Sequence, residues 1–216
     1  MTTQPVFNVR PFGNCLQLVP IPTPPICIEQ SEICIQQLQN FLNATRPIDN
    51  GGCITSDINF RAAIYFGDDD NFVGFLDPAL DYRTQFLLNL FPTSVITPPP
   101  FVTINLQQVG IIQRIVSGGA GTITEEELTC IINSIPSTFN RCQNRDSLTS
   151  QQIEARARAL ISTTDQVEIF SENGGPQPVF IKDAKPGIII ATDAGTGPYL
   201  SVSAFSTCFV AALTSS

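Results

Sequence analysis

Histidine, the side chain that most often moves protons in catalysis, does not occur in this 216-residue chain. Its absence removes the Ser-His-Asp and Cys-His arrangements of nucleophilic catalysis outright. Carboxylates and thiols are what remain. Seven cysteines stand at positions 15, 27, 34, 53, 130, 142 and 208. None forms a Cys-x-x-Cys pair, and without imidazole a zinc site would need four scattered thiolates, so no metal or cofactor is expected. Most of the thiols are expected to be buried small hydrophobes, with disulfides for some of them as the other reading. An odd number cannot pair fully within one chain. Cys15 and Cys27 are the candidates for a bond between copies, which non-reducing gels would show as ladders.

Three loops invite a chemical reading. Ala191-Thr-Asp193-Ala-Gly195 follows the apolar run Ile188–Ile190 and has a likeness to the Asp-Thr/Ser-Gly loop of aspartic proteases. Alanine replaces the Thr/Ser, and a single copy would need a dimer to act, so a Gly-rich hairpin turn is the preferred reading. Gly118-Gly-Ala-Gly121 precedes a helix start, where amides bind anions. The acidic first turn Glu125-Glu-Glu127 already occupies that dipole, and no Gly-Lys-Ser/Thr follows. Asp68-Asp-Asp70 offers oxygens to calcium, yet Phe72 and Ala79 fall where an EF-hand needs ligands. A solvated hairpin tip is the simpler account.

The background composition narrows the partners. Charged residues make up 14% of the chain, against about 25% in ordinary proteins. Only two lysines occur, Lys182 and Lys185. A surface covered by neutral polar side chains is easier to desolvate than a charged one, which favours contact with copies of the same chain. The formal charge of −8 and the lack of a basic cluster argue against direct nucleic-acid binding and against an anionic membrane surface. The first ten residues lack the pattern of a secretory signal, and no run approaches the ~20 apolar residues of a membrane span.

The elements that would carry these residues read as an α+β fold: several short helices packed with an antiparallel β meander or sandwich, after an extended Pro-rich arm. The arm, residues 1–30, holds six prolines yet is rich in apolar side chains, unlike a disordered tail. Its candidate contacts are Phe7, Phe12, Leu16, Leu18, Val19 and Ile21. Residues 31–216 read as one domain, helix-rich over 31–163 and a β meander over 164–216. Helices are predicted from Ser31 to Asn43, from Asp77 to Phe91, from Asn105 to Val116, after the capping box Thr124-x-x-Glu127, and from Ser150 to Thr163 with a Glu154–Arg158 pair. Ile54–Phe66 and Phe72–Leu76 are expected to form a hairpin. The meander is expected as four runs, the last alternating through Leu200, Val202 and Ala204.

These features favour a structural subunit that self-assembles into an extracellular or surface filament, lattice or particle, deposited on a cell, spore or virion surface, with the arm docking on neighbouring copies. A virus or phage coat protein is the near alternative. A calcium-assisted binding module on the meander and a carboxylate-based hydrolase are further ones. No enzyme activity is expected.

Overall fold

Runs such as Val109–Ile115 and Ile188–Thr192 are dense in β-branched residues, which pack well on a pleated sheet and lose rotamer freedom in a helix. They form the centre of the molecule. The computed structural model describes residues 7–12, 15–20, 27–55, 59–66, 70–96, 99–116, 121–172 and 175–215. In chain order the elements are β1 (Phe7–Phe12), β2 (Cys15–Pro20), α1 (Gln30–Ala44), β3 (Arg61–Phe66), β4 (Asp70–Phe75), β5 (Leu87–Leu90), β6 (Val102–Asn105) and β7 (Val109–Ile115). Then come α2 (Glu125–Ser134), α3 (Arg145–Ala159), β8 (Val167–Ser171), β9 (Gly175–Lys185), β10 (Ile188–Thr192), β11 (Ser201–Ser206) and β12 (Val210–Ser215). The fold is α+β.

Eight strands form one antiparallel sheet in the order β12-β8-β9-β10-β11-β7-β3-β4, and β5-β6 and β1-β2 are two-stranded sheets of their own. The expected meander is present as β8 to β11, but its last run breaks at residues 207–209 and β12 returns to lie beside β8. Strand β9 belongs to both halves: its residues 175–179 pair with β8 and its residues from Phe180 to Lys185 pair with β10, with a register shift opposite Ile190 and Ala191. Strands β3 and β7 continue that sheet, so the helix-rich part and the meander share one hydrogen-bonded structure.

Both faces of the central strands are covered. Ile112, Ile188, Ile190, Val202 and Ala204 enter one core with Leu38, Phe41 and Leu42 of α1. Their neighbours Ile111, Ile189, Ala191 and Phe205 enter a second core with Ala157 of α3, Ile169 and Ile181. Each such side chain contributes roughly 1.5–3 kcal/mol when fully removed from water. Two predicted helices are corrected by this arrangement. Over 105–116, Asn105 caps a short 3-10 turn, its side chain accepting from Gln107 N at 3.0 Å, and the rest is strand β7. A strand buried on both faces is apolar almost throughout, so helical spacing can be read into it. Over 77–91, Asp77 Oδ1 accepts from Ala79 N at 2.9 Å to make a turn instead of a helix cap. Leu88 and Leu90 then point inward between exposed Leu87 and Asn89, the period-two pattern of β5.

The three helices that form are near their expected places. Helix α1 begins at Gln30 after Glu29, with no side-chain cap, and buries the expected Cys34, Leu38, Phe41 and Leu42. Helix α2 opens on the expected capping box: Thr124 Oγ1 accepts from Glu127 N at 3.2 Å, and Glu127 Oε2 accepts from Thr124 N at 2.8 Å. Lys185 donates to Ile135 O at 2.8 Å and to Ile132 O, satisfying carbonyls at that helix's other end. Helix α3 starts five residues early, because Asn144 supplies the cap through Ser147 N at 2.9 Å. The expected Glu154–Arg158 pair does not form; Arg158 Nε donates to Ala184 O at 2.8 Å. The predicted hairpin of β3 and β4 is present, though β3 begins at Arg61 and residues 56–58 lie outside the described residues.

Six of the seven cysteines pair: Cys27 with Cys142, Cys34 with Cys208 and Cys53 with Cys130, at S–S distances of 2.07, 2.09 and 2.03 Å. The expectation of mostly free buried thiols is corrected. All three bonds start from α1 or its flanks. They join it to the segment before α3, to the turn before β12 and to α2. Beside them Arg114, fully buried in β7, donates to the carbonyls of Thr45 at 3.2 Å and Arg61 at 3.0 Å, with its guanidinium 5.3 Å from the Phe60 ring centre.

Candidate assembly surfaces

Strands β1 and β2 pair antiparallel from Phe7↔Pro20 to Phe12↔Cys15, across residues 13 and 14. The arm is thus a hairpin where a single extended strap was expected. Cross-strand partners share a face, and successive residues alternate between faces. The register therefore sets Phe7, Val9, Pro11, Leu16, Leu18 and Pro20 at positions of one face, every one of them apolar. Asn8, Arg10, Phe12, Cys15, Gln17 and Val19 take the other. Of the expected arm contacts, Phe7, Leu16 and Leu18 are brought together, Phe12 and Val19 are placed opposite, and Ile21 lies outside the described residues. Pro11 and Pro20 have the same parity in the ladder. Both can occupy non-hydrogen-bonded slots, so neither removes a ladder bond.

Cys27 anchors this hairpin's connection to the body through Cys142. Its use in an intrachain bond leaves Cys15, at the start of β2, as the one cysteine outside the three pairs. A single thiol per chain can link two copies and no more, so the expected covalent ladder gives way to a dimer at most.

A groove runs along α1. One part, about 270 Å³, is lined by Leu38, Leu106, Val109, Phe209 and Ser206 next to the Cys34–Cys208 bond. The adjoining part, about 410 Å³, continues past Glu32, Gln36 and Gln39 to Arg83 and Phe86, and both share Ser31, Ile35 and Gln107. Phe86 is 59% exposed. Ser206 is fully buried, and its hydroxyl has no hydrogen-bond partner among the described residues. Sequence reasoning missed this groove, because it is made by segments 31–39, 83–109 and 206–209.

Asp193 has a structural job. Its carboxylate accepts from Leu200 N at 3.1 Å and Ser201 N at 3.0 Å, closing the loop that precedes β11. Leu200, expected to share a strand face with Val202, precedes β11 and is 61% exposed, whereas Val202 is buried. The acidic and glycine loops at 67–69 and 117–120 lie outside the described residues. Among the described residues no three His, Cys, Asp or Glu side chains gather as a metal site, and no helix is long and apolar enough to cross a membrane.

Two polar clusters hold loops in place. Arg141 donates to Glu154 at 2.6 Å, with both side chains under one-tenth exposed, and Glu154 Oε1 also accepts from Ser150 Oγ at 3.0 Å and Gly187 N at 2.8 Å. Gly187 turns between β9 and β10 at φ +81°, within 3.0–3.2 Å of Ile33 and Cys34 on the Cβ side, so a side chain there is excluded twice over. In the second cluster Glu125 accepts from the Tyr199 hydroxyl and from Gly197 N at 3.0 Å, and Lys182 sits 5.0 Å from the Tyr199 ring centre.

The Tyr199 hydrogen bond, then the Gly197 amide, hold the Glu125 carboxyl below its ordinary range. Because the folded pKa lies below the unfolded one, this contact is fully formed above the ordinary carboxylate pKa and is lost as pH falls through the lowered value. Hydrogen exchange at the Gly197 amide, corrected for its intrinsic pH dependence, should accelerate severalfold on acidification. Glu125→Gln should bring the same acceleration at neutral pH. Unchanged protection in both would show that the carboxylate does not hold the loop.

Comparison with protein-family models, with curated proteins and with solved structures found no match to this chain.

Proposed function

We propose that this chain is a structural subunit that assembles with copies of itself into a surface filament, lattice or particle, joined through its N-terminal hairpin. The observation that carries the reading is the hairpin register, which collects six apolar positions on one face of a sheet separate from the main one. An apolar hairpin face has no reason to stay in water, and a two-stranded hairpin is only marginally stable alone. Docking on a neighbour answers both.

Other features support it. The charge-poor surface lowers the desolvation cost of contact. Three disulfides suit an oxidising exterior, where such bonds persist. Cys15, outside the intrachain pairs, can link copies only two at a time, so joints that run through a larger assembly are non-covalent. Negative-stain imaging of the purified, oxidised protein should show regular assemblies much larger than one chain. A population of single chains across the accessible concentration range would remove the proposal.

A further inference from the structure

We propose that the groove along α1 is the seat of the N-terminal hairpin of a second copy. This rests on the preceding reading and adds the receiving surface to it. Among the polar Glu32, Gln36, Gln39, Arg83 and Gln107 the groove presents Ile35 and the exposed Phe86, with Leu38 and Leu106 beneath its other end, as the apolar contacts for Phe7, Val9, Leu16 and Leu18. Its dimensions fit as well. A six-residue strand spans roughly 20 Å, while Ser31 to Gln39 rises about 12 Å along α1 and Arg83 and Phe86 extend the groove beyond.

Charge favours this occupant. Residues 1–26 carry Arg10 as their one charged side chain, whereas residues 27–216 hold all nineteen acidic and ten of the eleven basic ones. A positive arm is thus drawn to a body with nine excess negative charges.

The sequence argues for a second copy over the same one. The groove's near end, Ser31, is four residues from Cys27, which Cys142 fixes to the body. A hairpin returning to its own groove would have to reverse within that short connection, whereas the groove of a second copy sets no such limit. Copies joined in this way meet through unlike surfaces, so they add head to tail into a ring or an open filament.

The test uses two full-length variants, each checked for native circular dichroism and for the three disulfides. Val9→Glu with Leu18→Glu spoils the hairpin face and leaves the groove; Phe86→Glu, an exposed position, spoils the groove and leaves the hairpin. Phe86→Glu alone should weaken self-association about tenfold or more, and adding Ile35→Glu should abolish it. Sedimentation of the hairpin variant mixed with the doubly substituted groove variant should then show one-to-one pairs that grow no further, since each supplies what the other lacks. If the groove variants assemble like the unaltered chain while the hairpin variant does not, the seat is elsewhere and only this inference falls. If the hairpin variant assembles normally, the inference and the reading beneath it fall together. Absence of mixed pairs from two variants that are each single would also overturn the proposed seat.

Discussion

Replacing Cys34 and Cys208 together by alanine is expected to lower the melting temperature by about 10 °C. Their bond joins α1 to the turn before β12, 174 residues apart in sequence. With Cys27–Cys142 intact, the loop it closes is effectively about 70 residues. A cross-link on that scale removes roughly 4 kcal/mol of chain entropy from the unfolded state. For a chain of this length each kcal/mol moves the midpoint by about 2–4 °C. Reductant added to the unaltered protein should shift the midpoint further, since all three bonds are then lost. An identical midpoint with and without reductant, from protein whose digest shows no joined peptides, would contradict the pairing.

Glu154→Ala should be nearly as damaging, costing about 3–5 kcal/mol, the range for stripping one partner from a buried ion pair. The change strands the Arg141 guanidinium and removes the acceptor used by Ser150 and by the Gly187 turn. Adding Arg141→Met should recover part of the loss, because an apolar residue needs no counter-charge. Chemical denaturation of the single and double variants measures both. A single variant within 1 kcal/mol of the parent, by that same principle, would mean the pair is not desolvated in solution.

The two large effects come from pairings that no local pattern announces. Cysteine partners lie 115, 174 and 77 residues apart, and Arg141–Glu154 joins a loop to a helix. What was legible was local. The Thr124–Glu127 box marks the start of α2, the apolar stripe of α1 has its 3.6-residue period, and turn residues separate β8, β9 and β10. Strand β7 was illegible as a strand because both its faces are buried, which erases the alternation that distinguishes strand from helix. The hairpin was hidden for another reason. Proline density reads as a barrier to pairing, and only the register shows that Pro11 and Pro20 fall where a ladder tolerates them.

The part of the arm's surface that matters is likewise a product of register. Composition pointed to six apolar residues there, and two of them, Phe12 and Val19, fall on the mixed face, while Val9 joins the apolar one. Val9 and Leu18 are direct cross-strand partners at the middle of that face. Carboxylates placed there forfeit roughly 1.5–3 kcal/mol of apolar burial at each position. Association should weaken by a thousandfold or so, each 1.4 kcal/mol being a factor of ten.

Sedimentation velocity of the unaltered chain beside the Val9→Glu, Leu18→Glu variant, at equal concentration and in oxidising buffer, is the most direct test of hairpin-mediated assembly. The unaltered protein should sediment as large species, and the variant as single chains with unchanged circular dichroism and intact disulfides. Equal sedimentation of the two, whether both large or both single, would contradict it.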